Sequence, residues 1–174
     1  MKFFDRKVPA APPAALPVVT FTRDITFHMN GEEIRVFHLA GGHTDGDAVV
    51  FFPKSNVLHA GDLYFAGTYP FIDLESGGSV NGMIEAVNRL LLLIDPQTKI
   101  IPGHGPMSGK RDLEAYAMML RRVRDSVRRM VLEEKSLEEV LAAKPSAAYD
   151  ETWGKGFISP EKFVRILYQD LTAY

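Results

Sequence analysis

The chain has 174 residues, of which 46% are hydrophobic, with a formal charge of −2 and no cysteine. That is enough length and apolar content for one globular unit with its own core, while the near-neutral charge excludes a global pull toward nucleic acid or an anionic membrane. Without cysteine there are neither disulfides nor thiolate ligands, so a bound metal must use histidine, carboxylate and water.

Residues 1–16 mix charge with Pro9, Pro12, Pro13 and alanines, a composition that disfavours both helix and ladder and predicts an extended arm. The opening Met-Lys-Phe-Phe-Asp-Arg-Lys becomes charged too soon for a secretory signal, and apolar runs such as Leu90 to Ile94 fall far short of the roughly 20 residues that span a bilayer. The expected compartment is therefore the cytoplasm. The folded domain is predicted to occupy residues 17–174. Its first part reads as three antiparallel strands, Val18 to Thr22, Ile25 to Met29 and Ile34 to Leu39, the last two joined by the turn signal Asn30-Gly31.

Two further short strands follow, Ala48 to Phe52 and Val57 to Ala60, linked through Lys54-Ser55-Asn56. Residues 63–78 are aromatic and glycine-rich without periodicity, which predicts a loop suited to the mouth of a pocket. Ser79 can cap a helix running to about Asp95, and Pro96 ends it. A strand over Lys99 to Ile101 leads into Pro102-Gly103-His104, and a long amphipathic helix spans about Lys110 to Glu134 with its arginines, Arg121 to Arg129, on the solvated side. Ser136 and Ser159-Pro160 open two more helices. Strands first and helices after predict an α+β fold, a mainly antiparallel sheet with helices packed on one face.

Three segments carry ligand-type side chains at glycine-flanked strand ends: Gly42-His43-Thr44-Asp45-Gly46-Asp47, His59-Ala60-Gly61-Asp62-Leu63 and Pro102-Gly103-His104-Gly105-Pro106. Any one of these could be an ordinary polar turn. Together, His43, Asp62 and His104 are the residue types zinc takes in a cysteine-free site. His59 reads as a packed or supporting histidine, and His28 and His38 as sheet-face residues. Asp47 could orient His43 or simply stabilise its turn. Trp153 and Phe157 read as core anchors.

In this order the three segments resemble the later motifs of the metallo-β-lactamase superfamily of hydrolases. The resemblance implies an αββα sandwich with metals at one edge, His43 as a ligand of a first metal, Asp62 as the carboxylate bridging two metals and His104 as a ligand of the second. The family's earlier H-x-H-x-D-H motif has no counterpart here, so the chain is similar to the C-terminal half of that fold, with two protein ligands per metal rather than three.

The function implied is a zinc-dependent hydrolase acting on a small molecule, inactive or weakly active unless a partner supplies the missing ligands. Zinc would number two ions with such a partner and none without. The competing expectation is a non-catalytic, self-associating half-domain with a remnant metal site. In either case a bare sheet face and strand edge predict association, as a homodimer, as an element-swapped oligomer or with a missing N-terminal half. Neither nucleic acid nor membrane is an expected partner.

Overall fold

The computed structural model describes residues 9–173. The first eight residues of the expected arm lie outside the described residues. From Pro9 to Arg23 the chain is exposed and contains only a single 3-10 turn, Pro13–Ala15. The strand expected over Val18 to Thr22 does not form. Val18 is fully exposed and Val19 is 58% exposed, so β-branched composition alone, with no neighbouring strand to bond, does not produce a ladder.

Five strands form one sheet in sequence order: β1 (Asp24–Met29), β2 (Glu32–His38), β3 (Ala48–Phe52), β4 (Val57–Phe65) and β5 (Lys99–His104). The first three pairings are antiparallel and the last, β4 with β5, is parallel. The β1–β2 turn has both central residues at positive φ, Asn30 at 55° and Gly31 at 70°, as a tight twisted hairpin requires. A parallel neighbour needs a crossover, and α1 (Val80–Leu93) supplies it. Beyond the sheet lie α2 (Lys110–Leu132), α3 (Leu137–Ala143), α4 (Ala147–Trp153) and α5 (Pro160–Thr172). Of these, α4 has no clear signal in the sequence.

The strand register separates two faces. On one face, a row across the sheet runs Thr26, Arg35, Phe51, Leu58, Ile100. Leu58 and Ile100 are fully buried there, in one core with Met83, Val87, Leu113, Leu120 and Leu167 of the helices. The helices therefore cover β3, β4 and β5 and leave the β1–β2 hairpin overhanging. On the other face the row reads Ile25, Val36, Val50, His59, Ile101. No helix packs there among the described residues. Ile101 is 39% and Phe27 42% exposed, so this apolar face is open.

The helix ends are secured by side chains. Ser136 and Glu139 form a reciprocal capping box on α3, and Ser159 accepts the Lys162 N–H at the start of α5. At the start of α1, Ser79 accepts the Gly82 N–H, and the buried carboxylate of Asp170 on α5 accepts the Val80 N–H at 2.7 Å. Replacing Asp170 with alanine leaves that N–H buried without a partner, at a cost of about 1–3 kcal/mol. Asp170→Ala is therefore expected to lower the denaturation midpoint without changing the denaturant slope, a comparison that chemical unfolding makes directly.

Candidate metal centre

The sequence-predicted residues His43, Asp62 and His104 converge at the sheet end where β4 and β5 run out. The loop carrying His43 is shaped by Asp47. Its carboxylate accepts the backbone N–H groups of His43 at 2.7 Å and Thr44 at 3.0 Å, and the Thr44 hydroxyl at 3.2 Å. Of the two roles open to Asp47, the turn-stabilising one accounts for all three bonds, and the ring of His43 is oriented by another group. The imidazole Nδ1 lies 2.8 Å from the Phe71 carbonyl oxygen. A carbonyl only accepts, so a proton resides on Nδ1, and Nε2 is the nitrogen turned toward an outside partner.

That nitrogen faces Asp62. The two carboxylate oxygens of Asp62 divide between the histidines, Oδ2 at 3.5 Å from His43 Nε2 and Oδ1 at 3.4 Å from His104 Nε2. Asp62 occupies this place because the β4–β5 register slips between Gly61 and Phe65, which frees the strand to turn the carboxylate toward the sheet end. Opposite it on β5 stands Gly103. A β-carbon there would collide with the Asp62 carboxylate, so only glycine lets the two strands close around it.

His104 is held by stacking on Phe65, with ring centroids 4.8 Å apart and planes 16° from parallel. Phe71 meets His43 edge-on at 5.7 Å. Both phenylalanines are buried and act as supports for the imidazoles. Access increases across the group, with side-chain exposure of 16% for His43, 37% for Asp62 and 54% for His104.

The donor set can be tested against zinc. Two ligands bound 2.0–2.1 Å from a tetrahedral ion lie about 3.3 Å apart. The observed nitrogen–oxygen separations of 3.5 and 3.4 Å match one edge of such a tetrahedron on each side of Asp62. The fit is partial. Among the described residues no three His, Asp or Glu side chains gather closely enough to hold one ion, so each histidine–aspartate pair supplies an edge and nothing more.

The other histidines stand apart from this group. His59, expected to be packed, is exposed in the open-face row, its Nδ1 accepting the Gly61 N–H at 3.3 Å. His28 is exposed on β1 opposite Glu33. His38 has a role that strand periodicity does not reveal: Nδ1 lies 3.1 Å from the Thr22 carbonyl and Nε2 2.7 Å from the Asp45 carbonyl. It ties the end of β2 to the loop that carries His43.

Comparisons with known proteins bear on the family and the fold. The profile of the metallo-beta-lactamase superfamily matches residues 1–104. Metallo-beta-lactamase IND-1 of Chryseobacterium indologenes is 33% identical over 88 residues, covering 51% of this chain and 37% of that protein. The crystal structure of metallo-beta-lactamase IND-7 superposes with a TM-score of 0.52 at 30% identity, over 62% of this chain and 49% of that one. The sec-alkylsulfatase Pisa1 from Pseudomonas sp. superposes over 90% of this chain and 27% of its own, with a TM-score of 0.68 and 16% identity. That likeness is one of fold alone, and it extends to the helices beyond residue 104. The matched part spans less than half the length of each of these three relatives.

The His38 tie carries a pH dependence. Two carbonyls accept from one ring only if both nitrogens are protonated, and these bonds raise the His38 pKa above its ordinary 6.5. A folded-state pKa above the unfolded one means that the stabilisation is complete below pH 6.5 and is lost as pH rises through the folded value. Hydrogen exchange, corrected for its intrinsic base catalysis, is expected to show the Gly42–Asp47 loop losing protection over that rise in the wild type. In His38→Ala the loop is expected to show lower protection that does not change with pH, since the Asp47 bonds remain; protection independent of pH in the wild type would refute the tie.

Proposed function

The chain belongs to the metallo-β-lactamase superfamily, whose profile covers residues 1–104, and on that premise we propose that it carries the second half of a zinc-dependent hydrolase site. The observation that supports this most directly is the Asp62 carboxylate, with one oxygen turned to each imidazole at tetrahedral-edge distance. In this reading His43 and Asp62 would hold one ion, and Asp62 and His104 a second. Zinc in such a site supplies a Lewis acid and a water acidic enough to ionise near neutral pH.

The chain's own contribution is placement. Phe71 fixes the Nδ1 proton of His43, Phe65 fixes the plane of His104, Asp47 sets the loop and Gly103 admits the Asp62 carboxylate. Each of these constraints is made between protein groups alone, which limits the ordering that binding would require.

Two ligands per ion fall short of the three that catalytic zinc sites use. The remaining ligands then come from a polypeptide that covers the open sheet face, either a second copy of the chain or a segment equivalent to the unmatched part of its relatives. The row Ile25, Val36, Val50, His59, Ile101 is the surface that such a layer would bury, as in sheet-on-sheet packing. A second reading is favoured by the missing third ligand: a non-catalytic, self-associating half-domain in which the three residues are a remnant.

Zinc titration and ester or lactam hydrolysis, measured for wild type and Asp62→Ala, separate the two readings. For the hydrolase, Asp62→Ala is expected to weaken zinc binding by more than about 10-fold, since even an outer partner of a ligand is worth that much, and to abolish turnover. Sub-stoichiometric zinc in the wild type, or turnover indifferent to the substitution, would favour the remnant. Native mass measurement tests the open face separately. Association is expected at micromolar concentration, and Val36→Glu with Val50→Glu should abolish it; a wild-type monomer under those conditions would exclude self-association as the source of the missing ligands.

A further inference from the structure

We infer that the cavity beneath the overhanging β1–β2 hairpin is a ligand site for a small amphipathic anion, a carboxylate carried on a single aromatic ring or a short alkyl chain. The inference goes beyond the hydrolase reading and does not rest on it, since none of His43, Asp62 and His104 lines this cavity. Its volume is about 290 Å³. That is the small end of the range of ligand pockets, roughly 300–1,000 Å³, so one ring or a few carbons fit.

The cavity follows from the strand register. Asp24, Phe37 and Val49 stand side by side across β1, β2 and β3, each two residues from the row of Thr26, Arg35 and Phe51 and therefore on the same, helix-covered face. Cover thins toward the hairpin: Val49 is fully buried, whereas Phe37 is only partly buried against the core. Leu90 and Leu93 line the cavity from α1, three positions apart and so on one helix face. Leu90 is 1% and Leu93 37% exposed, so this wall passes from core to solvent along the helix.

Charge lies at the rim. Arg23 and Arg89 both line the cavity and are exposed. The Arg23 carbonyl accepts the His38 N–H at 2.7 Å, which fixes its backbone, while its guanidinium has no ion-pair partner among the described residues. Arg89 donates to Glu85 at 2.6 Å, and a guanidinium keeps further N–H groups for a second acceptor. His38 commits both ring nitrogens to the Thr22 and Asp45 carbonyls, so its ring is no partner for a ligand. Among the described residues Asp24 is the only carboxylate in the lining, set against two guanidiniums. A planar guanidinium matches a carboxylate through paired hydrogen bonds, and the floor of Phe37, Val49 and Leu90 favours a carbon body over water. Charge complementarity selects an anion, and the floor requires it to be amphipathic.

Titration of the full chain with phenylacetate, followed by NMR, tests the site. Shifts are expected at Phe37 and Leu93. Acetate, which lacks the ring, is expected to bind at least about 10-fold more weakly, and benzyl alcohol, which lacks the charge, about 2- to 5-fold more weakly. Arg23→Gln is expected to weaken phenylacetate by that same factor and to leave benzyl alcohol unchanged. Leu93→Glu, which sets a carboxylate in the wall, is expected to abolish phenylacetate binding. Both substitutions fall at exposed positions, so the fold is retained. Equal binding of the three probes, no response at Phe37 and Leu93, or either variant without effect on phenylacetate would overturn the inference. Binding of phenylacetate only at concentrations where the chain is monomeric would show that a second copy fills the cavity, which overturns it as well.

Discussion

Everything at the candidate centre depends on the parallel pairing of β4 with β5. Leu58 opposite Ile100, both fully buried, locks the two strands at their starts, and after the register slip beyond Gly61 they pair again at Phe65 and His104. Burial of two such side chains stabilises by about 1.5–3 kcal/mol each, enough to make the register unambiguous. Because a one-residue shift would turn every side chain to the opposite face, that packing indirectly decides that Asp62 and His104 meet. The antiparallel half of the sheet contributes only His43, delivered by a loop that Asp47 and His38 hold from either side.

The two faces of the sheet divide stability from incompleteness. The helix-covered face has a finished core, continuous from Val49 through Leu120 to Leu167. The opposite face presents aliphatic side chains with a histidine among them. Polar side chains would be expected on a face designed for water, and their scarcity in the row from Ile25 to Ile101 is independent of any argument about metal ligands. Two observations thus stand side by side: among the described residues no third ligand-type side chain joins either histidine–aspartate pair, and no helix covers this sheet face.

Much of this was legible in the residues. The Asn30-Gly31 turn, the Ser79 and Ser136 caps and the heptad-like stripe of α2 express local chemistry, and their elements stand within a residue or two of expectation. The convergence of His43, Asp62 and His104 was legible too, because each sits in a glycine-flanked motif, although Asp62 stands within β4 and not at its end. What escaped was set by non-local contacts. The Val18 to Thr22 segment has strand composition and no partner. The continuation of β4 to Phe65 depends on β5 lying beside it. His38 looks like any strand histidine until Thr22 and Asp45 are brought to its two nitrogens, and Phe157 resembles its buried neighbours until the fold turns it outward.

The completed core on the helix side has a consequence for how metal and folding are linked. In small zinc domains the ion holds the chain together, and ligand binding energy is folding energy. Here Leu58, Ile100 and the helices fix the strands that carry Asp62 and His104, while the Phe71 carbonyl and the Asp47 carboxylate fix His43. Ligation energy is therefore not needed to hold the chain folded. On the proposed reading it would be available for affinity and for joining this chain to whatever supplied further ligands, so that an ion at Asp62 would act as a bond between polypeptide segments more than as a scaffold for this one.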